Sequence, residues 1–181
     1  MVVVMMDQDQ DAIILDGIPP QELETFLQWR EKVRGTNISE KTLLATDYLN
    51  HFNEIVMLIE MVPDMAMMLE ECYLWEPKSY AQHFEQSGFS DKALAIAAYE
   101  FVPSKFRGPF EDTILQMQLV VSATIQRMAA AVEAGNPDQL RLDCQVSVAM
   151  IHKIIQVANG IIHGTAGVMA QDEIDLYLGS A

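Results

Sequence analysis

Residues 108–160 read GPFEDTILQMQLVVSATIQRMAAAVEAGNPDQLRLDCQVSVAMIHKIIQVANG. Phe110, Ile114, Met117, Val121, Ile125, Met128 and Val132 recur three or four residues apart, the period of one helix face. Gly108-Pro109 opens this helix and Gly135 closes it. Asn136-Pro137 then supplies an N-cap followed by a proline at the first helical position, so a second helix follows at once. It is expected to run to Asn159, with Gly160 as the residue after its end. Leu140, Cys144, Val148, Ile151 and Ile155 line one face, and Val146, Met150, Ile154 and Val157 line another. A Gly-Asn-Pro connection is too short for anything but an antiparallel helical hairpin. Burial on two sides allows either a full intrachain bundle or a homodimer.

The segments before the hairpin repeat the pattern in shorter pieces. Ser79 and Ser90 cap short helices predicted over Tyr80–Gln86 and Asp91–Phe101, with Gly88 and Pro103 as punctuation. A Met-rich helix is expected from Met65 to about Leu74. Upstream, Leu44, Tyr48, Phe52, Ile55, Ile59 and Val62 form a stripe that predicts one helix from about Glu40 to Val62, capped by Ser39 and stopped by Pro63. Pro19-Pro20 opens a first helix carrying Leu23, Phe26, Leu27 and Val33, and Gly35 ends it. No Asn-Gly or Asp-Gly hairpin turn and no period-two alternation appears, so the fold class is all-α: a helical bundle with a long antiparallel hairpin and several short helices. Three parts are expected: a flexible acidic segment at 1–16, a bundle at 17–160, and a glycine-containing connector with a short amphipathic helix at 161–181.

Composition narrows the class. The chain has 181 residues, 50% of them hydrophobic, which suits one medium domain with a real core. Its formal charge of −15 repels nucleic acid and anionic membrane, and neither is expected as a partner. The longest apolar run falls short of a membrane span. Met1–Met6 is apolar but too short for a secretory core and is preceded by no Lys or Arg, so a cytoplasmic location is expected. Cys72 and Cys144 stand apart among apolar neighbours and read as buried free thiols.

The end of the chain carries the functional signal. Val168-Met169-Ala170-Gln171-Asp172-Glu173-Ile174-Asp175 resembles the N-terminal peptide of the flagellar motor-switch proteins FliM and FliY, whose pattern is close to (I/L)-L-S-Q-(D/E/A)-E-I-D-A-L-L. Gln171, Asp172, Glu173, Ile174, Asp175 and Leu178 match it; Ala170 replaces the capping Ser, and Tyr177 replaces a Leu. The lost cap weakens the helix by about 1 kcal/mol. In that family the peptide folds as a helix on the phosphorylated response regulator CheY, and the phosphatase CheZ ends in a comparable acidic–apolar helix. The resemblance therefore implies a non-enzymatic regulatory or adaptor protein of chemotaxis or motility signalling. Its partner would be a CheY-like regulator, bound by a projecting helix laid in a groove. It covers about a dozen residues and none of the main domain.

A rival reading is enzymatic. On the predicted second helix Asp47, Asn50, His51 and Glu54 stand at i, i+3, i+4 and i+7 and share one face. An acid and an amide one turn apart is the pair that response-regulator phosphatases of the CheZ and CheC type use. The amide orients water for in-line attack on an aspartyl phosphate, and the acid anchors the regulator's lysine. Asp47, Asn50 and Glu54 are the candidate catalytic residues, although neither family's surrounding motif is present. His51-x-x-Glu54 is the reverse of a di-iron Glu-x-x-His unit and occurs once, so no metal or cofactor is assigned. His163 lies in the glycine-rich connector with no Lys beside it, unlike a phosphotransfer histidine.

Overall fold

The computed structural model describes residues 11–165 and 171–179, with side chains in the second stretch from Ile174 onward. Among these residues there is no strand. In chain order the elements are α1 (residues 11–15), α2 (Pro20–Val33), a 3-10 turn (Thr46–Leu49), α3 (Asn50–Met61), α4 (Met68–Leu74), α5 (Tyr80–Gln86), α6 (Lys92–Tyr99), α7 (Ser104–Glu133), α8 (Pro137–Ile162) and α9 (Gln171–Gly179).

The α7–α8 hairpin is the frame. Its turn forms as the sequence predicts: Gly135 takes φ +62°, and the Asn136 side chain accepts the Gln139 N–H at 3.0 Å. Buried stripes carry Met117, Val121 and Met128 on α7 and Leu140, Ile151, Ile154 and Ala158 on α8. Both arms are longer than predicted. Pro103 precedes the start of α7, so Pro109 lies inside the helix rather than opening it. At the other end α8 runs through Gly160 to Ile162, and Gly164, at φ +81°, is the residue that turns the chain. By length and composition α8 could cross a membrane; here it is one arm of the hairpin, packed on α7 and α3.

α3 packs beside α8, and α4 bridges α3 to α7. Tyr48, Tyr80, Tyr99, Phe84 and Phe110 make a continuous aromatic cluster, with the Tyr80 and Tyr99 rings stacked at 4.4 Å. α5 has the expected cap: Ser79 Oγ accepts the Gln82 N–H at 3.2 Å while Gln82 Oε1 accepts the Ser79 N–H at 2.9 Å. Both cysteines are free and buried.

Two expectations are corrected. No single helix spans Glu40–Val62. Residues 39–45 form a tight loop, with Leu43 at φ 66° and its N–H donating to the Ser39 carbonyl at 2.8 Å. Thr42, Leu43, Leu44 and Ala45 are buried on every side, which an amphipathic helix cannot arrange. Thr42 Oγ1 instead donates to the Ile162 carbonyl at 2.6 Å, and the Ala45 N–H donates to the Tyr80 hydroxyl at 2.8 Å. Nor does the end of the acidic lead-in stand apart from the bundle. Asp11 pairs with Arg30 at 2.6 Å, Ile14 is buried, and Lys105 Nζ donates to the Ile13 and Ile14 carbonyls at 3.0 Å. Residues 1–10 of that segment lie outside the described residues.

Candidate functional site

The C-terminal helix does not project. α9 lies against α7, with Ile174 0% and Tyr177 5% exposed and Leu178 partly buried on the core. The expectation of a free tail, with Ile174 and Leu178 open to a partner, is therefore corrected. Ile174, Tyr177 and Leu178 stand at i, i+3 and i+4, and that one apolar stripe is spent on the protein's own body. Asp175 and Leu176 face outward. The side chains of Gln171, Asp172 and Glu173 lie outside the described residues.

The seat is polar where Tyr177 enters it. Thr124 on α7 and Ser147 on α8 are both fully buried within otherwise apolar stripes. The Tyr177 hydroxyl sits 2.9 Å from Thr124 Oγ1 and 2.7 Å from Ser147 Oγ. Thr124 spends its proton on the Val120 carbonyl at 2.7 Å, which can only accept. The proton order follows: Ser147 donates to Tyr177, Tyr177 to Thr124, and Thr124 to the backbone. The Ser147 hydroxyl, on α8, is thus paired with Tyr177 on α9. Arg127 completes the contact. Its guanidinium lies 4.2 Å from the Tyr177 ring centroid, and Nη2 donates to the Tyr177 carbonyl at 2.5 Å. A cation on a last-turn carbonyl also complements the negative end of the α9 dipole.

The other predicted set, Asp47, Asn50, His51 and Glu54, lies where the 3-10 turn Thr46–Leu49 runs into α3, with Asp47 on the turn and the other three on the helix. Asp47 and Asn50 do meet, but they satisfy each other. Asn50 Nδ2 donates to Asp47 Oδ1 at 3.0 Å, and Asp47 Oδ2 lies 3.3 Å from His83 Nε2. Asn50 Oδ1 accepts from Asn53 at 3.4 Å. His51 is buried and stacked on Trp75 at 4.6 Å, with Nε2 2.8 Å from the Glu76 carbonyl. Burial, the largest influence, pushes its pKa below the ordinary value. Glu54 is 66% exposed, with Oε2 3.8 Å from His51 Nδ1.

Asp47, Asn50 and Asn53 help to line a 560 Å³ cleft between α3 and α8, together with the carboxamides of Asn37, Gln156 and Asn159. Among the described residues no Lys or Arg lines this cleft. Among the described residues no three His, Cys, Asp or Glu side chains are placed to hold a metal ion.

Sequence reasoning missed Tyr177, Thr124, Ser147 and Arg127 as site residues. Two signals pointed to the first three: hydroxyl residues inside two apolar stripes, and a Tyr where the resembling peptides carry Leu. Neither a protein-family model, nor a curated protein, nor a solved structure matches this chain.

Proposed function

We propose that this chain is a non-enzymatic adaptor that recruits a CheY-like response regulator through α9. The matching run Gln171-Asp172-Glu173-Ile174-Asp175 with Leu178, placed on a discrete nine-residue helix, carries the reading. Recognition would lay the Ile174–Leu178 face in a groove of the regulator while the acids meet a basic rim. Since Ile174 is buried in the seated form, recruitment requires α9 to leave α7 and α8.

A partner that binds the released helix draws the population toward it only as far as its affinity exceeds the cost of unseating Ile174, Tyr177 and Leu178.

The test uses the full chain and a CheY-like regulator carrying beryllofluoride on its acceptor aspartate, a stable acyl-phosphate mimic. Calorimetry should show micromolar-range binding that weakens without beryllofluoride and disappears on deletion of residues 166–181. The phosphorylated regulator should lose phosphate no faster in the presence of the chain, because Asp47 and Asn50 are committed to each other. No binding, or binding that survives the deletion, refutes the adaptor. Faster phosphate loss that disappears in Asn50→Ala would establish the phosphatase instead.

A further inference from the structure

We infer that the α7–α8 seat is an intramolecular latch for α9, keyed by the Tyr177 hydroxyl, and that it competes with the partner for the same helix face. Its regulatory meaning rests on the adaptor reading; the latch itself rests on geometry.

The seat is built for a tyrosine. At position 177 the resembling peptides carry Leu, which has no hydroxyl. A Leu here would leave the buried Ser147 hydroxyl without the partner it has at 2.7 Å. Thr124 and Ser147 lie on different helices, yet both hydroxyls converge on one phenol oxygen. Arg127 then grips the ring and the carbonyl of that same residue. Tyr177, one of the residues that depart from the peptide pattern, is thus the one with hydrogen bonds to both arms of the hairpin.

Seating and recruitment are mutually exclusive. Ile174 and Tyr177 are on one helix face, and the body removes both from solvent. A partner that needs Ile174 can bind only the released fraction, so its apparent affinity is lowered in proportion to that fraction. Weakening the seat should raise the affinity without touching the recognition helix.

Ser147→Ala tests this, because it lies outside α9, suits a helix interior and removes the donor to Tyr177. In the full chain without partner, α9 amides should exchange with solvent about fivefold faster, the equivalent of one lost hydrogen bond. Binding of the beryllofluoride-loaded regulator should tighten by a similar factor of about five. Arg127→Gln, at a second point of the seat, should act in the same direction on both readouts. The latch is overturned if both variants keep wild-type circular dichroism and neither changes α9 exchange. Faster exchange with unchanged regulator affinity overturns the competition. Faster exchange with no regulator binding by any form keeps the latch and removes the adaptor reading alone.

Discussion

Replacing Tyr80 by Phe tests the clamp that turns residues 39–45 into a loop. The Ala45 N–H is fully buried and donates to the Tyr80 hydroxyl at 2.8 Å. Phe keeps the ring and its packing on Tyr99 at 4.4 Å and Phe84 at 4.7 Å. Only the acceptor is lost, and the aromatic cluster around it offers the amide no other. An orphaned buried N–H costs about 1–3 kcal/mol. For a chain of this size each kcal/mol lowers the midpoint by about 2–4 °C, so a 2 kcal/mol loss predicts a fall of about 4–8 °C. Calorimetry reads the global effect, and amide exchange at Ala45 reads the local one. A midpoint within about 1 °C of wild type, with Ala45 equally protected, would show that the amide finds another acceptor. The loop would then owe its shape to something other than Tyr80.

Three further outcomes follow from particular contacts. His51 is held below its ordinary pKa of 6.5, so the unfolded chain takes up a proton before the folded one does. Stability from this group is complete above that ordinary value and falls as pH drops through it toward the lowered value. Denaturant midpoints measured from about pH 7.5 to about pH 5 should decline less steeply in His51→Gln. In Gly164→Ala the new Cβ would stand 2.4 Å from Ile14 Cδ1, at a backbone φ of +81°. It should cost about 1–3 kcal/mol in urea unfolding, with α1 amides losing protection. Ser79→Ala removes one arm of the α5 capping box and should cost about 1 kcal/mol, read by thermal unfolding.

The hairpin and α5 were legible because their signals are local. A Gly-Asn-Pro turn, a capping serine ahead of a short helix, and stripes at helical spacing act within a few residues of the structure they specify. The α9 segment was likewise visible as a helix in the run from Gln171 to Leu178. Its position was not, because that depends on Thr124 and Ser147 meeting one oxygen from two separate helices. The break before α3 was hidden for the same reason. Leu44 and Tyr48 keep helical spacing, but the backbone of residues 39–45 answers to Ile162, 120 residues from Thr42, and to Tyr80, 35 residues from Ala45. Periodicity records which side chains must be buried and leaves open what buries them. Helix type and hairpin pairing were therefore determined by the chain's own pattern. The loop, the contact of Asp47 with His83 and the seating of α9 were decided only when distant hydrogen-bonding groups were brought together.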